Sequence, residues 1–166
     1  GPGDGSLANV LVKTFKKFPK FNSIKKIFLY EESNYLKKIQ KKNISNKNII
    51  WINNFKKIKK GPVIFFGNEF FDAIPIKQFS YEKNSLLEKC YVINPNKGLN
   101  EAYQAASRED VAKIKTFKVL KGLKFIEYPK LGLIELDKMV KKINEQTGGI
   151  LLIDYGYLNI INRSTL

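Results

Sequence analysis

Apolar residues fall along this chain in two rhythms. From Ser6 to about Phe18, the positions Leu7, Val10, Leu11, Phe15 and Phe18 recur at helical spacing until Pro19 ends the run. Four short blocks have no polar alternation: Ile27-Phe28-Leu29-Tyr30, Ile49-Ile50-Trp51-Ile52, Val63-Ile64-Phe65-Phe66 and Ile150-Leu151-Leu152-Ile153. Such runs are what strands buried on both faces of a parallel sheet require. After Glu31-Glu32-Ser33 a helical pattern resumes at Tyr35-Leu36-Lys37-Lys38-Ile39, and Leu133, Leu136, Met139, Val140 and Ile143 mark another helix, which Gly148-Gly149 ends. Lys77 to Tyr81 and Leu86 to Ile93 alternate better, with Lys83-Asn84-Ser85 between them. This predicts a hairpin inserted at about residues 77–94 and closed by Asn94-Pro95-Asn96. Gly98 to Gly122 is charged and patchily apolar, and is expected to be a loop followed by a short helix that Ser107 caps and Glu109 and Asp110 begin. Lys124 to Tyr128 reads as a further strand. Strands alternating with helices predict an α/β sandwich wound in right-handed crossovers.

Length and composition narrow the chemistry. At 166 residues, 43% of them hydrophobic, the chain suffices for one compact core, so one domain or a piece of one is expected. It starts at Gly1 and ends after the polar Asn162-Arg163-Ser164-Thr165 with no evident element closing the fold, so both ends read as cut. Cys90 is the only cysteine, read as a buried hairpin residue, and there is no histidine. Internal disulfides, cysteine-rich zinc sites, His-ligated metals and Ser-His-Asp or Cys-His catalysis are therefore excluded within this segment, and no metal is expected. Chemistry here must rest on carboxylates, amides, backbone groups or a bound cofactor. No run approaches the roughly 20 apolar residues of a membrane span, and the start lacks a signal peptide's regions, so a soluble intracellular protein is expected. The net charge of +15 suggests a nucleic-acid partner, but arginine is confined to Arg108 and Arg163 and the lysines recur along the whole chain. That distribution favours a solvated, diffusely basic surface over a recognition site.

Three segments carry candidate chemistry. Gly1-Pro2-Gly3-Asp4-Gly5-Ser6-Leu7 opens directly onto a helix, where backbone can approach a ligand closely and aim free N–H groups at it. Its G-x-G-x-G spacing differs from the G-x-G-x-x-G of dinucleotide fingerprints, which disfavours an NAD-dependent oxidoreductase. Glu31 stands at the carboxyl end of the next strand, where α/β folds hydrogen-bond a ribose, although a first-turn helix acid is the alternative, and Glu32 fits that reading too. Phe66-Gly67-Asn68-Glu69-Phe70-Phe71-Asp72-Ala73-Ile74-Pro75 places an amide and two carboxylates among aromatics directly after a strand. Such a loop suits a flat ring and a cation; equally, Phe70 and Phe71 are core anchors and Asp72 a cap. Asp154 closes the last strand at the same expected edge.

Taken in order, the glycine loop, Leu29-Tyr30-Glu31-Glu32-Ser33, Asn68 to Phe79 and Gly148-Gly149 to Asp154-Tyr155-Gly156-Tyr157 resemble the MidA family of methyltransferases, which includes bacterial proteins and a mitochondrial complex I assembly factor. The third block is specific to that family, and the match spans nearly the whole chain. The resemblance implies a Rossmann-like class I methyltransferase sandwich that binds S-adenosylmethionine, here truncated: the family's first strand, its N-terminal region and its strands after Tyr157 are not present. Without that central strand, Val63 to Phe66 and Ile27 to Tyr30 lose the neighbour that separates them. By position, the resemblance implies Gly1, Gly3 and Gly5 beneath the cofactor's amino-acid portion, Glu31 on the ribose hydroxyls, and Asn68 and Glu69 beside the transferred methyl. The family usually has a basic residue at Asp4 and an apolar one at Glu32. The implied activity is arginine N-methylation of a respiratory complex I subunit in support of assembly, with Glu69 and Asp72 binding the guanidinium. The alternatives are a catalytically inactive assembly factor of the same fold and, behind it, a basic nucleic-acid-binding domain. A bacterial cytoplasm and a mitochondrial matrix fit equally well.

Overall fold

The computed structural model describes residues 1–24, 26–96, 98–118, 122–159 and 161–165. Lys25 of one lysine pair, residues 119–121 in the stretch before Gly122, and the terminal Leu166 lie outside the described residues. In chain order the elements are α1 (Ser6–Phe15), β1 (Ile27–Tyr30), α2 (Asn34–Asn43), β2 (Ile49–Ile52), β3 (Val63–Asn68), β4 (Lys77–Glu82), β5 (Ser85–Asn94), β6 (Gly98–Ala105), α3 (Arg108–Thr116), β7 (Phe125–Tyr128), α4 (Lys130–Gln146) and β8 (Gly148–Ile153). They form two compact units: Gly1–Phe70 with Lys138–Leu152, and Phe71–Asp137 with Ile153–Leu166.

In the first unit β1 and β2 pair in parallel, Ile27 opposite Ile49 through Tyr30 opposite Ile52, with α2 as the crossover. Ser33 caps α2 by accepting the Leu36 N–H at 3.2 Å. Helix α1 stops at Phe15, short of the expected Phe18. The residue before a proline is pushed out of helical space, and Phe18 is extended (φ −116°, ψ 112°) ahead of a 3-10 turn at Pro19–Ser23. The buried face of α1, Ala8 and Val12, packs with Leu29, Ile44 and Ile49. A second cluster joins Ile52, Phe55, Ile58 and Met139, with Phe65, Phe70 and Ile150 against it.

Strand β3 pairs with β8 in a sheet separate from β1 and β2. Its exposure alternates, Val63, Phe65 and Gly67 half-buried against exposed Ile64, Phe66 and Asn68. The expectation of two buried faces therefore fails for β3, and for β8 as well, where Leu151 and Ile153 are exposed. The Ile52–Phe55–Ile58–Met139 cluster takes one face of β3, and Ile64 on the other is 77% exposed. Among the described residues β1 and β3 are not paired with each other.

The second unit is a four-stranded antiparallel sheet in the order β6-β5-β4-β7. The β4–β5 hairpin forms as expected, with Tyr81 opposite Leu86. The loop expected after Gly98 is a strand: β6 pairs with β5 from Asn94 opposite Gly98 to Leu87 opposite Ala105. Its sequence hides this because Glu101 and Tyr103 stand on a solvated face, where cross-strand partners and not periodicity decide the conformation. Phe79, Leu86, Ile114, Ile126 and Tyr128 form this unit's core. Ser107 caps α3 as expected, accepting the Asp110 N–H at 3.1 Å.

Candidate functional site

The glycine loop is a tight turn closed by the Gly5 N–H on the Pro2 carbonyl at 3.0 Å. Gly5 caps α1 at φ 91°, a left-handed conformation that L side chains rarely adopt, and a Cβ there would stand 2.7 Å from Ile44 Cδ1. A Cβ on Gly3, by contrast, would meet nothing within 4 Å, so the space over the loop is open. The Asp4 carboxylate accepts both the N–H and the hydroxyl of Ser6 at 2.9 Å. Those bonds hold its carboxyl below the usual range, so the charge that departs from the family pattern is engaged at the helix start.

Helix α2 backs this loop. Asn43 Nδ2 donates to the Asp4 carbonyl at 2.9 Å, and Gln40 Nε2 donates to the Gly3 carbonyl at 2.7 Å. The same Nε2 reaches Glu31 Oε2 at 3.0 Å, while the Ser33 N–H donates to Glu31 Oε1 at 2.9 Å. Glu31 is 7% exposed. A Cβ on Gly1 would stand 2.9 Å from its Oε2, so the loop backbone comes directly up to the carboxylate. The structure thus brings together Gly1, Gly3, Gly5 and Glu31, and adds Gln40, which the sequence reading missed. The available signal was a polar residue on the α2 face that also carries Asn43 and Ile44.

The acceptor inventory fits a vicinal diol. An ionised carboxylate has about four lone-pair sites, and Glu31 uses two of them internally. Two remain for hydroxyl donors such as a ribose offers.

Asn68 ends β3 and is exposed, and Glu69 follows at φ 50°, a conformation disfavoured for a residue with a Cβ. Phe70 is a core anchor: its ring lies 6.3 Å from Tyr30, whose ring in turn meets Phe55 at 4.7 Å in a tilted contact. Glu31 follows Tyr30 and Glu69 precedes Phe70, so this aromatic contact ties the two strand ends. Asp72 is exposed and belongs to the second unit, where Phe71 packs on Gly132. Asp154 accepts the N–H of Tyr155 at 2.9 Å as a turn residue of that unit. Cys90 lies in the hairpin strand β5 as expected, but it is half-buried and not buried, with its thiol donating to the Ala102 carbonyl at 3.4 Å.

Comparison with known proteins points one way. A family model described as an S-adenosyl-L-methionine-dependent methyltransferase matches residues 1–166. The protein arginine methyltransferase NDUFAF7, mitochondrial, of Danio rerio is 26% identical over 109 residues, 66% of this chain and 26% of that protein. A crystal structure of a Burkholderia thailandensis protein bound to S-adenosyl-homocysteine superposes with a TM-score of 0.73 at 17% identity, covering 95% of this chain and 41% of that one. A native structure from the same superfamily and organism gives 0.73 at 16%, covering 95% and 42%. The chain thus spans well under half the length of these relatives.

Proposed function

Since the chain belongs to the S-adenosylmethionine-dependent methyltransferase family that matches it from end to end, we propose that the protein transfers a methyl group to an arginine nitrogen of a protein substrate, a subunit of respiratory complex I. The observation that carries the reading is the joining of the glycine loop to Glu31 in one hydrogen-bonded cluster. The similarity to a protein arginine methyltransferase of Danio rerio supports an arginine acceptor. For this chain the proposed compartments are a bacterial cytoplasm or a mitochondrial matrix; the Danio rerio relative is mitochondrial.

S-adenosylmethionine supplies an already activated methyl on a sulfonium, so the protein's share is alignment and exclusion of water. The backbone of Gly1, Gly3 and Gly5 bears the amino-acid portion, and Glu31 accepts from the ribose hydroxyls. Asn68 and Glu69, at the end of β3, flank the reacting centre. Glu69 binds the guanidinium and orients its nitrogen through charge-assisted hydrogen bonds.

The disfavoured φ of Glu69 supports this reading, because strained positions cluster at functional sites. Glu69→Gln in the full chain is expected to lower methyl transfer to an arginine peptide about tenfold to a hundredfold, the worth of one hydrogen bond to a charged group. Affinity for S-adenosyl-homocysteine stays unchanged. Undiminished turnover would remove Glu69 from the mechanism.

A further inference from the structure

We propose that Gln40 is the positioning residue of the cofactor site, its amide fixing the spacing between the glycine loop and the Glu31 carboxylate while Trp51 fixes the amide's orientation. The inference rests on the methyltransferase reading above.

Gln40 is fully buried, at 0% exposure. Its side-chain amide offers two N–H donors and one carbonyl acceptor. Nε2 donates to the Gly3 carbonyl at 2.7 Å and to Glu31 Oε2 at 3.0 Å, and Oε1 accepts the indole N–H of Trp51 at 2.8 Å. An indole nitrogen can only donate, so Oε1 must face Trp51. Both amide hydrogens are thereby turned towards the loop and the acid, and the amide cannot flip without opposing like groups.

No other side chain of this size meets the three demands together. Glutamate at 40 would face a carbonyl and a carboxylate with acceptors; lysine would offer nothing to the indole. Methionine fills the space and leaves the Gly3 carbonyl and Glu31 Oε2 without this donor. Elsewhere the loop is tethered through Asp4 to Asn43, and Glu31 through Oε1 to Ser33, so each half keeps a separate anchor when Gln40 is removed. What is lost is their coupling. A ligand that spans both halves must then order the spacing itself, whereas one that touches only the ribose site is less affected.

The test titrates S-adenosyl-homocysteine and adenosine into the full chain as wild type, Gln40→Met and Trp51→Phe. Gln40→Met is expected to weaken S-adenosyl-homocysteine binding by about tenfold to a hundredfold, as for a hydrogen bond to a charged group, and adenosine binding by clearly less. The ratio of the two affinities therefore narrows. Loss of packing alone weakens both ligands alike or only lowers the melting temperature, and that result overturns the proposal. So does unchanged S-adenosyl-homocysteine affinity in Gln40→Met. Trp51→Phe leaves Gln40 in place without its orienting donor, and is expected to narrow the same ratio by about threefold to tenfold. It decides the matter where Gln40→Met does not fold, an unchanged ratio counting against the proposal. If the wild type fails to bind S-adenosyl-homocysteine, the methyltransferase reading falls and this inference with it; wild-type binding with undisturbed variants sinks only the role of Gln40.

Discussion

Gly148→Ala is expected to cost about 3 kcal/mol or more and to melt the first compact unit well below the wild type. Gly148 opens β8 at φ 134°, a region open to glycine alone, and an alanine Cβ would stand 1.7 Å from the carbonyl oxygen of Val63 and 2.7 Å from its carbon. Those are backbone atoms of β3, so no side chain can swing aside. The Val63 N–H donates to the Thr147 carbonyl at 3.1 Å, which makes this the first rung between β3 and β8. Relief therefore requires the strands to part. Since β3 ends at Asn68, directly before Glu69, the damage reaches the candidate site. Gly149→Ala is the control: its Cβ would meet nothing within 4 Å, and a change within about 0.5 kcal/mol is expected. Denaturant unfolding of the two variants checks the pair, and equal midpoints would contradict the account.

Asp110→Ala is expected to destabilise the second unit by about 2–4 kcal/mol. Asp110 is 1% exposed and accepts from Lys77 at 2.8 Å and Lys130 at 2.9 Å, while its N–H binds Ser107. It thus pins α3 to β4 and to the start of α4. Burial pushes its carboxyl up, but the bonds from Lys77, Lys130 and Ser107 outweigh burial and bring it down to about 2. A carboxyl lowered on folding contributes stability that is present above its unfolded value near 4 and is lost as pH falls towards 2. The shift corresponds to about 2 kcal/mol at neutral pH. Acid unfolding of the wild type should therefore show a drop between about pH 4 and pH 2 that Asp110→Ala lacks. Glu109→Ala is the contrast, because Glu109 is 79% exposed and touches the same Lys130 at 3.1 Å, a surface pair worth at most about 1 kcal/mol.

Much of this fold was legible in the sequence because apolar strands announce themselves locally. Ile27 to Tyr30, Ile49 to Ile52 and Ile150 to Ile153 need only their own apolar side chains to be read. Strand β6 was not legible, since its conformation depends on partners across β5: Lys89 binds Glu101 at 2.6 Å and stands opposite Tyr103. Asp110 was placed at the start of α3 but not in the core, because Lys77 and Lys130 come from elements 33 and 20 residues away. The same limit governs the site. The glycine loop and Glu31 lie in short motifs and are readable as candidates. Gln40 was missed, because its partners Glu31, Trp51 and Gly3 stand 9, 11 and 37 residues off and meet only when the chain folds. The division between the two units falls between Phe70 and Phe71, inside the block that carries Glu69 and Asp72.

The central claim is that the glycine loop and Glu31 hold S-adenosylmethionine between them. Calorimetric titration of S-adenosyl-homocysteine into the full chain, wild type beside Glu31→Ala, tests it most directly. Binding by the wild type and a loss of about a hundredfold in the variant, as for a carboxylate that accepts from paired hydroxyls, is the predicted result. Equal affinity in the two proteins, or no binding by the wild type, would contradict it.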